Sequence, residues 1–137
     1  MTITFDRSTI GLMSSFASIT RAKVKDVVEE KELLIFIVEP GQLFKALGKK
    51  GANVKKLSHK LNKRIKVVEF NPDIEVFIRN MVYPLNIREI SQTDKIVVLE
   101  GEDVKTKGLL IGRNAQNLRQ LEKVVKRYFN IDEIKVT

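Results

Sequence analysis

The chain has 137 residues, 43% of them hydrophobic, no cysteine and a formal net charge of +8. That length suits one ordinary domain or two small ones, and the apolar content supports a packed core rather than a disordered tail. Without cysteine there is no disulfide, thiolate nucleophile or cysteine-bound zinc, and no run approaches the ~20 apolar residues of a membrane-spanning helix. The stretch Met1 to Arg7 lacks the basic start of a secretory signal, so a cytoplasmic location and no membrane partner are expected.

In chain order, Asp6 is placed to cap a helix running to about Ile19, with Ile10, Met13, Phe16 and Ala17 on its inward face. Lys23 to Val28 and Leu33 to Val38 read as two strands around a charged turn. The second is continuous and rich in β-branched residues, as a strand buried on both faces would be. Pro40 and Gly41 end it, and a short helix follows from Gln42 to Leu47. The loop Gly48-Lys49-Lys50-Gly51 interrupts that helix. A second helix carries the stripe Val54, Leu57 and Leu61, and Ile65 to Val68 closes as a strand.

The order α-β-β-α-α-β then begins again. Asn71-Pro72-Asp73 reads as a helix start, with Asn71 as cap, Pro72 at the first helical position and Asp73 in the first turn. This helix is expected to reach about Val82, before Pro84. Leu85 to Ile90 and Ile96 to Leu99 read as strands around Ser91 to Asp94. Glu102 and Asp103 open a short helix ending at Gly112. A long helix with Leu118, Leu121, Val124 and Val125 inward precedes a last strand, Ile134 to Val136. Setting Gly48 on Gly112 also sets Leu47 on Ile111, Asn53 on Asn117, Val54 on Leu118 and Leu57 on Leu121. The pattern predicts an internal repeat and an α+β fold of two tandem units, residues 1–70 and 71–137. Each should be a three-stranded sheet covered by helices on one face. The short Asn71–Asp73 junction predicts a rigid tandem whose two grooves continue one another.

Charge is unevenly spread. Residues 1–70 hold 14 Lys/Arg against 7 Asp/Glu, and residues 71–137 hold 11 against 10. No acidic residue falls between Glu39 and Glu69, a stretch with nine cations that include Lys45, Lys49, Lys50, Lys55, Lys56, Lys60 and Lys63. Such a field draws polyanions. It surrounds the glycine loop, where a left-handed Gly48 would end one helix and Gly51 would open the next, letting a ligand backbone approach. A helix N-terminus offers free N–H donors to phosphate, and Lys49 and Lys50 add mobile charge. A GxxG loop between two helices is how a KH module clamps about four nucleotides of single-stranded RNA.

The stretch from Ala46 to Leu57 resembles the first KH unit of NusA transcription factors. Phe77 to Pro84 is similar to that family's helix between its KH units, and Ile111-Gly112-Arg113-Asn114-Ala115-Gln116-Asn117-Leu118-Arg119 resembles its second loop. The resemblance covers nearly the whole chain and points to the short archaeal form, with two KH units and neither the polymerase-binding domain nor the OB-fold module of bacterial relatives. It implies type II KH folds packed as one body, a role in transcription elongation, termination or antitermination on nascent RNA, and RNA polymerase as a partner. The RNA-binding residues expected on this basis are Gly48, Lys49, Lys50, Gly51, Asn53, Lys55 and Lys56 in the first unit. In the second they are Gly112, Arg113, Asn114, Ala115, Asn117 and Arg119.

Ala115 departs from the pattern, standing where the second glycine belongs. With a negative φ there, alanine costs little; where RNA backbone must approach closely, its methyl group weakens the contact. Asn114 is expected to cap the helix that follows. Phe36, Phe44, Phe70, Phe77 and Phe129 are assigned to the core, whereas Tyr83 and Tyr128 are left open, so base stacking in the RRM manner is not expected.

Other chemistries are weakly represented. Gly41 and Gly48 are too far apart for a P-loop, and Lys50 stands where Ser/Thr would bind magnesium. His59, the single histidine, has no second ligand for a metal and is expected at the surface. Glu102 and Asp103 read as helix-terminal charge. No catalytic residue, metal or cofactor is expected, and a monomer is. Two alternatives remain at this level: a KH protein of ribosome biogenesis or of the ribosome, and a module that binds protein through KH-like units.

Overall fold

The computed structural model describes residues 7–137. The expected Asp6 cap lies outside the described residues. The chain divides into two compact units, with the boundary between Asn71 and Pro72.

In the first unit the order is α1 (Arg7–Thr20), β1 (Val24–Glu29), β2 (Leu33–Val38), α2 (Leu43–Leu47), α3 (Ala52–Leu61) and β3 (Arg64–Glu69). The sheet runs β1-β2-β3, with β1 antiparallel and β3 parallel to β2. Central β2 is buried from Leu34 to Val38, as its unbroken apolar run requires. Leu34, Phe36 and Val38 share one core cluster with Phe16 of α1, Val27 of β1, Ala46 of α2 and Leu57 of α3, so the three helices cover one face of this sheet. Phe16 stacks on Phe36 with ring centroids 4.3 Å apart. Leu12, Met13 and Ile19 pack against the same cluster. Ile10, expected inward, is exposed instead, because the buried face of α1 is centred a quarter-turn away, on Phe16 and Thr20.

The second unit repeats that order with α4 (Ile74–Val82), β4 (Ile87–Thr93), β5 (Ile96–Gly101), α5 (Val104–Ile111), α6 (Gln116–Lys126) and β6 (Glu133–Val136). Its sheet runs β4-β5-β6, antiparallel then parallel. Phe77 of α4 is fully buried against the rings of Tyr128 and Phe129, at 5.6 and 5.8 Å. The cap of α4 is Asp73 rather than Asn71: its carboxylate accepts from the Glu75 N–H at 2.9 Å. Both residues are able caps, and Asp73, with extended backbone, directly precedes the first helical residue, Ile74. Asp73 is therefore outside the helix and Pro72 precedes it. Strand β4 starts at Ile87, two residues later than expected, and continues through Ser91, Gln92 and Thr93, which pair with β5. Asp103 caps α5 by accepting from the Thr106 N–H at 2.7 Å. That bond, with one from the Thr106 hydroxyl, holds the carboxyl below its ordinary pKa.

In each unit the parallel pairing of the second and third strands needs a crossover connection. The helix–loop–helix segment supplies it, so the glycine loop sits midway along the crossover. Among the described residues, no helix is long and apolar enough to cross a membrane.

Candidate nucleic-acid interface

The loop between α2 and α3 has an unusual backbone. Gly48 has φ 75° and ψ 172°, a region that only glycine occupies readily. It ends α2, but by an extended kink and not by the left-handed helical conformation expected. Lys50 (φ 55°, ψ 31°) and Gly51 (φ 72°, ψ 20°) are left-handed in succession, and α3 starts at Ala52. The Gly48 N–H donates to the Phe44 carbonyl at 3.0 Å and the Gly51 N–H to the Gly48 carbonyl at 3.1 Å. Among the described residues no backbone carbonyl accepts from the N–H of Lys49 or Lys50. Both lysine side chains are exposed, as are Lys55 and Lys56 one turn into α3. The loop thus presents open amides beside a group of cations, an arrangement that attracts anionic oxygens.

The second loop has nearly the same geometry with different residues. Gly112 has φ 74° and ψ 175°, Asn114 φ 55° and ψ 31°, and Ala115 φ 60° and ψ 23°. Ala115 is therefore left-handed, not in the negative-φ conformation that would make alanine inexpensive. A left-handed L-residue costs about 1–2 kcal/mol, part of which glycine recovers against its greater chain entropy. Ala115→Gly should accordingly stabilise the protein by about 1 kcal/mol in urea denaturation. A neutral or destabilising result would show that this backbone strain is not present. Asn114 does not cap α6. Ala115 occupies the cap position, with no side-chain bond to the helix. Arg113 and Arg119 are exposed.

Asn53 and Asn117, both expected at the RNA interface, each use the side-chain amide within the protein. The Asn53 side-chain amide donates to the Lys45 carbonyl at 3.1 Å, and that of Asn117 to the Leu109 carbonyl at 2.8 Å. Each asparagine ties the helix after the loop to the last turn of the helix before it. Each also fills the space a side chain would need at the first glycine. A Cβ on Gly48 would lie 2.8 Å from the Asn53 amide, and one on Gly112 would lie 2.7 Å from the Asn117 amide. The glycine and the asparagine five residues later form a lock that holds the loop open. The shared spacing of the two pairs was a signal in the sequence for this positioning role.

Phe44 is a larger departure. It was assigned to the core, yet it is 86% exposed on α2. Phe36 and Phe77 are buried, Phe129 packs on Phe77, and Phe70 lies half-buried beneath the Lys25 ammonium at 4.5 Å. Tyr128 also packs on Phe77, whereas Tyr83 is 80% exposed. His59 is exposed. A shallow polar hollow of about 390 Å³, lined by Lys31, Glu32, Ser58, Asn62, Lys63 and Arg64, lies at the far end of α3 from the loop.

A three-stranded sheet with an α-β-β-α-α-β order and a glycine loop between two helices is the arrangement of a KH unit, and the chain belongs to the KH domain family, whose model matches residues 13–86. Over nearly its full length the chain is similar to archaeal proteins named "Probable transcription termination protein NusA". The relative from Thermoplasma acidophilum is 29% identical, the match covering 98% of this chain and 95% of the relative. That from Methanocaldococcus jannaschii is 31% identical, with 88% and 68% covered. The crystal structure of APE1850 superposes with a TM-score of 0.81 at 24% identity, covering 97% of this chain and all of that one, which speaks for the fold.

Proposed function

We propose that this protein grips single-stranded RNA and acts on nascent transcripts as a NusA-like transcription termination factor. The carrying observation is the loop Gly48–Gly51, with exposed lysines and open backbone amides between two helices of a KH unit. The near-full-length similarity to archaeal NusA proteins supports the transcriptional context over a ribosomal one. On this reading residues 72–137 are a second KH unit, and both units are type II, in keeping with their matching element order. RNA contact falls to Lys49, Lys50, Lys55 and Lys56, with the backbone of Gly48 and Gly51. In the second unit it falls to Arg113, Asn114 and Arg119, with the backbone of Gly112 and Ala115. Asn53 and Asn117 position these groups. RNA polymerase is the expected protein partner, and the role is binding rather than catalysis.

The test is the salt dependence of affinity for a single-stranded oligoribonucleotide. If about four phosphates are neutralised, log K against log salt should slope near about −2.8. A slope near zero would remove the electrostatic grip. Co-purification with pre-ribosomal particles instead of RNA polymerase would favour the ribosomal alternative.

A further inference from the structure

Phe44 stands almost bare in solvent in a cation-rich stretch of sequence, with the Glu69 carboxylate held on the Gly41 N–H at the opposite end of α2 from the loop. Lys45 follows Phe44, Lys49 and Lys50 lie just beyond, and no acid occurs between Glu39 and Glu69. Its carbonyl receives the Gly48 N–H, so Phe44 lies one helical turn before the first glycine of the loop. The ring is thus carried within one turn of the loop. The flanking Leu43 and Leu47 are partly covered and Ala46 is buried. The ring is therefore an isolated apolar spot rather than part of a broad patch. A stable protein interface needs roughly 800 Å² per partner; one ring is the size of one base. Unpaired RNA offers the matching pair of features, an anionic backbone and flat apolar faces.

We propose that Phe44 is a stacking platform for one unpaired base of the RNA whose phosphates the first loop holds. This rests on the RNA-binding reading above and adds a contact not made by charge. The second unit cannot do the same: the position matching Phe44, counted back from Gly112, is Gly108, which has no side chain. The two units thus divide the work, with stacking and charge at the first loop and charge and backbone at the second.

The experiment compares Phe44→Ala, Phe44→Leu and Phe44→Tyr with the parent, by fluorescence anisotropy on a single-stranded oligoribonucleotide across a salt series. Phe44→Ala should weaken binding about 5- to 150-fold with an unchanged salt slope. Phe44→Tyr should bind as the parent does, and Phe44→Leu should resemble Phe44→Ala, having bulk but no ring face. A 5-iodouridine-substituted oligonucleotide should photo-crosslink to Phe44. Parent-like affinity in Phe44→Ala, while charge reversal at Lys49 and Lys50 still abolishes binding, would overturn the stacking contact and leave the RNA reading in place. Parent-like affinity in Phe44→Leu would overturn stacking in favour of a plain apolar contact. Loss in neither Phe44→Ala nor the lysine variant would overturn both.

Discussion

Lys49→Asp with Lys50→Asp should abolish most single-strand RNA binding, by at least about 100-fold, while the fold remains intact. Two cations beside the bound phosphates become two anions, and like charges brought that close cost several kcal/mol. The salt slope should also become shallower by about 1.4, the loss of two phosphate contacts. Folding should be spared because both side chains are exposed, and exposed substitutions usually change stability by less than ~0.5 kcal/mol. Aspartate also tolerates the left-handed backbone at position 50 better than most residues. Anisotropy titrations together with thermal melts check both halves. Unchanged affinity and slope in a folded variant would remove the first loop from the interface. The matching change at Arg113 and Asn114 should weaken binding less, since only one charge is reversed there.

Gly48→Ala should destabilise the protein by about 2–4 kcal/mol, a large share of the ~5–15 kcal/mol that holds a typical domain together. Two effects add. The backbone at φ 75° and ψ 172° excludes side-chain-bearing residues at about 1–3 kcal/mol. The new methyl group also meets the Asn53 amide at 2.8 Å and the Asn53 backbone nitrogen at 3.1 Å. Relieving the first contact breaks the Asn53 bond to the Lys45 carbonyl, about 1 kcal/mol more, and rotating the side chain leaves the second in place. Urea denaturation measures the total. Adding Asn53→Ala to Gly48→Ala should relieve only the clash with the Asn53 side chain, because the backbone strain, the contact with the backbone nitrogen of residue 53 and the loss of the bond to Lys45 all stay. A double variant as stable as Asn53→Ala alone would mean that side-chain crowding alone sets the glycine requirement, and no destabilisation by Gly48→Ala would refute the lock.

Much of this was legible in sequence because the signals were redundant. The β-branched run of β2, the stripe Val54, Leu57 and Leu61, and the paired glycine loops each identify an element without help from tertiary structure. The departures share a different cause. Phe44 lies among Leu43, Ala46 and Leu47 on a five-residue helix, which is too short for a hydrophobic period to say which side faces inward. Asn71 and Asp73 are both competent caps flanking a proline, and it is the bond from the Glu75 N–H that marks Asp73 as the cap. The left-handed Ala115 was hidden because residue type predicts backbone conformation strongly for glycine and weakly for alanine. The positioning bond of Asn53 is hidden because its partner is a carbonyl eight residues earlier, which comes into reach only once the loop has folded.

The glycine–asparagine lock has a further consequence. The two loops hold nearly the same backbone angles while carrying Lys-Lys-Gly in one and Arg-Asn-Ala in the other. The first of the two tip residues is therefore open to variation, and the second is open only to residues that tolerate a left-handed backbone. A module built this way is a socket whose frame persists while its tip side chains are exchanged.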